Sequence, residues 1–332
     1  MALNRLKLPG SKMPWLDYSS PVVAIIGPTA VGKSSLAIEL ARHYKGEIVS
    51  ADSRQFYRGM DIGTAKPGLE ELDSVPHHLI NILDPDQPWS LAEFKRAAQV
   101  ALADIHFRGK LAFLVGGTGQ YVYGLLEDWQ IPRQAPDTSL RETLETWGRT
   151  IGPAELHRRL AILDPEAAGM IQPQNLRRTV RALEVILHTG RKFSEQRRTG
   201  QLHYSVIKIG LSLPRPELYD RVDARIETML ANGLVEEVMQ LRSLGYSSQL
   251  PTMSAIGYRE INAYLDGILT LEEAVERMKR QTRAYIRRQA NWFKRNDPAI
   301  HWLQAGNHAF SEAIRLIERD ENWILPGNES IG

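Results

Sequence analysis

Gly27-Pro28-Thr29-Ala30-Val31-Gly32-Lys33-Ser34 reads G-x-x-x-x-G-K-S, the pattern of a phosphate-binding loop. Its flanks match what such a loop requires. Before it, Val22-Val23-Ala24-Ile25-Ile26 is a short apolar run suited to a buried parallel strand. After it, Leu36, Ile38, Leu40 and Ala41 fall among good helix formers, so a helix over residues 34–44 is expected. Backbone N–H groups of the loop and the helix N-terminus make a nest for phosphate oxygens. In this pattern Lys33 reaches the outer phosphate and the Ser34 hydroxyl sits on Mg²⁺. The loop predicts a polyphosphate ligand without saying which one, or what is done to it.

Moving outward, Ile48-Val49-Ser50-Ala51 predicts a second strand that ends at Asp52. Ligands of open α/β sheets gather at the carboxyl ends of strands. An acid there, opposite a phosphate loop, suits Mg²⁺ binding or proton abstraction; a turn-capping role fits the same spacing. Residues 56–68 hold several turn formers and no clean period, and read as a loop over the site that offers Arg58 and Lys66 to phosphate or RNA. His77 and His78 are neighbours in a short predicted strand, so their rings point to opposite faces and a structural role is expected over a shared metal. Ser90 and Glu93 form a capping box for a helix that runs to about Phe107 and closes at Gly109.

Residues 111–115 are an apolar central strand, and Gly116-Gly117-Thr118-Gly119 follows. Many P-loop ATPases end a comparable strand with an Asp that helps to hold Mg²⁺. Its replacement by Gly-Gly-Thr argues against a nucleotide-hydrolysing motor or switch. Glycines admit close approach to the backbone, and Thr118 either offers a hydroxyl beside the phosphate site or serves the turn alone.

From Ile131 the rhythm changes, with Pro132, Pro136 and Pro153 and helical patterns over 138–147, 153–160 and 175–188. Arg177-Arg178-Thr179-Val180-Arg181, Arg191, Lys192, Arg197 and Arg198 make this stretch locally basic. Such a cluster suits a phosphate backbone; a solvated helix face is the other reading. The core then resumes with a strand over 204–213 and helices over 215–232 and 233–244. A long helix over 271–295 places Arg280, Arg283, Arg287 and Lys294 on one face and Tyr285, Gln289 and Trp292 on another. Interleaved basic and aromatic residues suit RNA, and burial of the aromatic side is compatible with that. A last edge strand at 301–303 and a helix at about 308–319 complete the pattern.

The expected organisation is an N-terminal extension (1–20), an α/β core (21–130 with 205–320), an inserted helical domain (131–204) and a tail (321–332). The fold class expected is α/β: a P-loop NTPase-like parallel-sheet core with an inserted helical domain. A length of 332 residues fits two domains. Hydrophobic content of 43% and charged content of 24% are those of an ordinary soluble protein. A net charge of +2 means that nucleic-acid contact must come from local clusters. The absence of cysteine excludes disulfides, cysteine–zinc sites and a cysteine nucleophile. With no apolar leader and no run long enough for a membrane, a cytoplasmic enzyme is expected.

Together these parts suggest a transferase whose leaving group is pyrophosphate and whose acceptor is RNA. The ordered motifs GPTAVGKS (27–34), SADSRQFYRGMDIGTAKP (50–67), PHHLINILDP (76–85), LVGGTGQY (114–121), RRTVRALEV (177–185), AIGYRE (255–260) and RRQANWF (287–293) resemble those of the bacterial tRNA dimethylallyltransferases, the tRNA isopentenyltransferase family. The resemblance implies transfer of a dimethylallyl group from dimethylallyl diphosphate to N6 of adenosine 37, beside the anticodon, in tRNAs that read codons beginning with U. It implies Asp52 as the base toward N6, Thr118 at the bridging oxygen, and Thr29 to Ser34 as the diphosphate cradle, with Mg²⁺ at Ser34. It assigns Asp52, Ser53, Arg54, Gln55, Thr118, Arg141, Arg177, Arg178, Thr179, Val180, Arg181, Arg287, Arg288 and Lys294 to the tRNA, with the inserted module gripping the anticodon arm. A monomer, without membrane association, is expected. The competing readings are a small-molecule kinase on the same scaffold, which would not need the basic helices, and an isopentenyltransferase acting on free adenine nucleotides.

Overall fold

The computed structural model describes residues 21–129, 137–196, 200 and 204–319. The N-terminal extension, Pro132, Pro136, Arg197, Arg198 and the tail lie outside the described residues. The chain divides into two compact units, Met1–Leu126 with Leu202–Gly332, and Glu127–Gln201.

The first unit is a parallel sheet with helices. Its elements before the break are β1 (Pro21–Ile26), α1 (Lys33–His43), β2 (Glu47–Ser50), α2 (Leu69–Ser74), β3 (His77–His78), α3 (Leu91–Phe107), β4 (Ala112–Gly116) and α4 (Gly119–Leu126). The helical unit follows in sequence with α5 (Thr138–Ile151), α6 (Pro153–Leu163), α7 (Pro165–Met170), α8 (Leu176–Thr189) and α9 (Phe193–Gln196). The first unit then resumes with β5 (Ser205–Ser212), α10 (Arg215–Ala231), α11 (Leu234–Ser243), α12 (Tyr258–Leu265), α13 (Leu271–Ala290), β6 (Ile300–Gln304) and α14 (Ala309–Arg319).

The sheet runs β3-β2-β4-β1-β5-β6, with every pairing parallel. Val22 to Ile26 of β1 have no exposed surface, as a strand between two parallel neighbours and two helical layers requires. Register aligns Ile26 with Gly116 of β4 and with Gly210 of β5, and Ser50 of β2 with Val115 of β4. The carboxyl ends of β1, β2 and β4 therefore open on one edge. The loops carrying Gly27–Ser34, Asp52 and Thr118 leave from that edge.

The opposite end of β2 carries a charge network. The buried Glu47 carboxylate accepts from Arg108, from Lys110 (2.7 Å) and from the His78 ring (2.8 Å). The Arg108 guanidinium above all holds the Glu47 carboxyl well below the usual carboxylate range. His77 instead turns its Nδ1 to the Val75 carbonyl (2.7 Å), so the two rings serve separate structural contacts.

The helical unit packs Leu144, Leu156, Leu160, Val180 and Leu183 into its own core. Asp137 caps α5 through the Leu140 N–H (3.0 Å), and the buried Asp164 caps α7 and holds Ser194.

One element departs from expectation, and two others, α4 and α12, fall where the sequence alone predicted no element. The long basic helix ends at Ala290 rather than 295, where Asn291 closes it and a turn follows. Lys294 therefore does not share its face. Helix α4 forms despite two glycines, because its apolar side chains are buried and tertiary packing overrides propensity. Helix α12 is capped by Gly257, whose φ of 98° suits glycine, with Glu260 accepting from the Gly257 N–H (2.9 Å).

Candidate active site

The phosphate loop has the backbone its sequence requires. Gly27 lies at φ 144°, and a Cβ there would meet the Leu211 carbonyl oxygen of β5 at 2.6 Å. Gly32 lies at φ 102°, and Lys33 opens α1. The Lys33 ammonium folds back onto the Pro28 carbonyl (2.7 Å). One loop amide is committed elsewhere: the Thr29 N–H donates to the Gln289 side chain (2.9 Å).

The two neighbouring strand ends are tied together. The Ser53 N–H donates to the Thr118 hydroxyl (3.3 Å), which links the turn after β2 to the turn after β4. Asp52 accepts the Arg54 N–H at one carboxylate oxygen (2.9 Å). The capping and the functional readings of Asp52 are thus compatible, since its carboxylate caps a turn while facing a cavity. That cavity, of about 400 Å³, is lined by Lys33, Ser34, Asp52, Arg225 and Tyr285 among others.

The cavity has a charged end and an apolar wall. Burial pushes the Lys33 ammonium down to about 8; the Asp52 carboxylate opposes that shift and the Arg225 guanidinium adds to it. Burial lowers Arg225 as well, again opposed by Asp52. Two cations short of solvent beside one carboxylate make a site that gains from an anion. The apolar wall comes from α10 and α13, through Val222, Ile226, Met229 and Met278, with Ile256 ahead of α12. Residues 63–65 and Pro67 also line the cavity, as the loop reading of 56–68 expects.

Tyr285 is a site residue that the sequence reading assigned only to an RNA-facing stripe. Its phenol engages Thr118, and burial pushes it up to about 12, with Asp52 adding to the shift, so it stays protonated. Arg225 and Gln289 were also missed as site residues. Arg225 follows Val222 by three positions, so a helical projection of α10 puts the cation beside the apolar stripe. Gln289 shares the helical stripe of Tyr285 and Trp292 in the sequence, but nothing in that spacing points to the two loop partners it binds.

The basic residues fall into different situations. Arg287 and Arg288 are exposed at the end of α13, and Arg288 lies over the Tyr285 ring (5.8 Å). Arg283 is bonded to Asp223 of α10 (2.6 Å). Arg54 reaches the carbonyls of Pro251 (3.4 Å) and Thr252 (3.5 Å). Gln55 accepts from the Ser50 hydroxyl (3.0 Å). Arg58 pairs with Asp84 (2.8 Å), and Lys66, buried, is held by Asp61 and Asn81. Lys66 is committed within the fold, which corrects its reading as a phosphate or RNA contact, whereas Arg58 stays half exposed beside Asp84.

In the helical unit Arg177 and Arg178 are exposed on α8. Thr179 and Val180 are buried, so their assignment as tRNA contacts is corrected: their side chains belong to the unit's core. Arg141 and Arg181 both grip the buried Glu184 carboxylate, at 2.8 and 3.0 Å.

The Ser34 hydroxyl and the Asp52 carboxylate line the cavity, and among the described residues no group of three or more His, Cys, Asp or Glu gathers as a metal site. One hydroxyl, with phosphate oxygens and water supplying the rest, is a common way to hold Mg²⁺; the donors present fit that ion. Among the described residues no helix is long and apolar enough to cross a membrane.

Comparison with known proteins agrees with this geometry. The model of a family described as IPP transferase matches residues 55–296, and one described as isopentenyl transferase matches residues 20–81. A tRNA dimethylallyltransferase of Roseiflexus sp. is 54% identical over 304 residues, 92% of this chain and 99% of that protein. One of Thermomicrobium roseum is 49% identical, covering 90% of this chain and 91% of its own length. Among solved structures, a tRNA isopentenylpyrophosphate transferase of Bacillus halodurans aligns with a TM-score of 0.66 at 42% identity, over 90% of this chain and 94% of that one. A eukaryotic dimethylallyltransferase acting on tRNA aligns with a TM-score of 0.74 at 29% identity, over 91% and 79%. On this agreement across nearly its whole length, the chain belongs to the IPP transferase family.

Proposed function

We propose that the protein transfers a dimethylallyl group from dimethylallyl diphosphate to N6 of adenosine 37 in tRNAs reading codons that begin with U, releasing diphosphate. The observation that carries the reading is the cavity that brings Lys33, Arg225 and the phosphate loop to one carboxylate, Asp52, under an apolar wall, with the Thr118 hydroxyl bonded to the lining residue Ser53.

In this reaction the C1–O bond of the allylic diphosphate breaks, and a bond forms between C1 and N6. The N6 proton passes to Asp52. Negative charge grows on the departing diphosphate, and Lys33, Arg225 and the loop N–H groups meet it there. Thr118, held by the Ser53 N–H, donates its hydroxyl proton as a hydrogen bond to the bridging oxygen. The five-carbon tail lies along Val222, Ile226, Met229 and Met278, which keep water from an allylic centre that it would otherwise capture. Mg²⁺ at Ser34 would neutralise part of the diphosphate charge.

A loop base is reached by extrusion, at modest cost because it is unpaired. The exposed Arg287 and Arg288 of α13, and Arg177 and Arg178 of α8, are the basic side chains offered to the anticodon arm, the acceptor in this reading. Lys294 is exposed beyond α13 and is offered to the same RNA independently of the helix. The protein acts as a cytoplasmic monomer.

The test is transfer of labelled dimethylallyl from its diphosphate, with Mg²⁺, to unmodified tRNA, with AMP and ATP as parallel acceptors. Label on the tRNA at adenosine 37 alone is the expected result. Label on a free nucleotide, or consumption of ATP without transfer, would overturn the reading.

A further inference from the structure

Gln289 has 3% of its surface exposed, yet it lies between Arg288 and Ala290 near the end of a helix whose neighbouring arginines face solvent. Both halves of its amide are used. Its oxygen accepts the Thr29 N–H of the phosphate loop (2.9 Å), and its Nε2 donates to the Gly117 carbonyl after β4 (2.9 Å). One turn earlier, on the same face of α13, Tyr285 engages Thr118. The fit is close: a Cβ on Gly117 would stand 2.2 Å from Gln289 Nε2 and 3.3 Å from the Gly27 carbonyl oxygen. Two turns that the sheet edge leaves side by side, the phosphate loop and the turn after β4, are thus joined through one side chain.

We propose that Gln289 is a positioning residue for the transfer reaction. It fixes the spacing between the diphosphate cradle and the Thr118 turn, and so sets the leaving oxygen against the hydroxyl that assists it. Only a side chain with one donor and one acceptor in a planar unit meets both partners; a carboxylate lacks the donor and a thioether lacks both. The Thr29 amide also follows: spent on Gln289, it is an anchor of the loop and not a phosphate donor, so the cradle consists of the later amides and Lys33. The inference rests on the proposed function for its catalytic consequence, while the anchoring of the two loops does not.

Gln289→Met keeps the volume and removes both bonds. The expected result is a loss of about tenfold in pyrophosphate affinity and about tenfold in kcat, from the net worth of a buried hydrogen bond at each loop. The KM for tRNA should stay within about twofold, since the exposed arginines are untouched. Amide exchange in residues 27–33 should accelerate, a readout that needs no substrate. Gly117→Ala displaces the same amide from the other side, so the two losses should be non-additive in the double variant. Unchanged pyrophosphate affinity and loop exchange in Gln289→Met, with only a lower Tm, would show a side chain that merely fills space and would overturn the proposal. Additive losses would overturn it too. If Gln289→Met does not fold, Gly117→Ala alone decides: faster loop exchange with weaker pyrophosphate binding supports the inference, and wild-type values refute it. A wild-type protein that transfers nothing, but whose loop exchange still responds to Gln289→Met, would sink the functional reading and leave the anchor standing.

Discussion

Arg225→Gln is the substitution whose outcome the site geometry constrains most. Arg225 stands in the cavity with Lys33 and Asp52 and acts on Lys33 as a like charge that lowers its pKa. Two effects follow. Loss of a charge-assisted hydrogen bond to the diphosphate removes about 1.5–3 kcal/mol, or about 10- to 150-fold in affinity. Loss of the neighbouring cation also raises Lys33 from its value of about 8. Below its pKa Lys33 carries the charge that meets the diphosphate; above it the ammonium loses its proton and binding must pay for its return. Pyrophosphate affinity in the wild type should therefore fall as pH rises through about 8, by up to about tenfold per unit. In Arg225→Gln the fall should begin at higher pH, so the variant's relative loss is largest near neutrality and shrinks in alkali. The assay is calorimetric titration of pyrophosphate across that range. Lys33→Arg, whose guanidinium does not titrate there, is the control for the ligand's own protonation. A limb at the same or lower pH in Arg225→Gln, or a loss under about threefold, would refute the placement of Arg225 at the diphosphate.

Other outcomes follow from the same structure. Asp52→Asn and Thr118→Ala should each lower kcat, by about 10²- to 10⁴-fold for the base and about 10-fold or more for the hydroxyl, while tRNA affinity by filter binding changes little; equal losses of binding and turnover would contradict those roles. Replacing Arg287 and Arg288 by alanine should reduce the salt slope of tRNA binding by about 2, whereas alanine at Thr179 or Val180 should leave that slope unchanged and lower stability in urea. Glu47→Ala should cost about 1–2 kcal/mol in urea unfolding, because Arg108, Lys110 and His78 lose their shared partner but Arg108 and Lys110 are exposed enough to be solvated in its place. With the folded carboxyl held below its usual value of 4.5, the Glu47 contribution is present above that value and is lost as pH falls through the folded pKa. The wild type and Glu47→Ala should therefore converge in stability in acid.

Much of this site was legible because its parts obey local rules. The phosphate loop is a contiguous pattern with a strand before and a helix after, and β1 and α1 stand where those rules put them. Asp52 and Thr118 were found from strand ends, which a parallel sheet gathers on one edge whatever the loops do. The role of Gln289 was invisible for the opposite reason: helical spacing puts it on the stripe of Tyr285 and Trp292, but its partners Thr29 and Gly117 lie 260 and 172 residues away in sequence. Lys294 was misplaced because charge periodicity continued after the helix had ended at Ala290. The stretch Thr179-Val180 was read by the charge of its neighbours, whereas burial on α8 is set by position around the helix.

The glycines at the end of β4 and just beyond it explain why a nucleotide-type loop serves group transfer here. A Cβ on Gly116 would meet the Ala51 carbonyl oxygen at 2.5 Å, one on Gly117 would meet Gln289 at 2.2 Å, and one on Gly119 would meet Trp292 at 2.3 Å. Each of these positions is closed to a side chain by a different neighbour. The acid that nucleotide hydrolases place at such a strand end therefore has no room here without moving β2 or α13. The acid that remains near the loop is Asp52, on the next strand and joined to Thr118 through the Ser53 amide. This changes the electrostatic balance of the cavity: Lys33 and Arg225 face a single carboxylate, so the cations are left to the leaving diphosphate. In the proposed reaction that carboxylate needs to stay available to the proton on N6. The contact of Gln289 with Gly117 thus helps to reserve Asp52 for the acceptor side of the reaction, because the side chain that ties this turn to the phosphate loop fills the space a second acid would need.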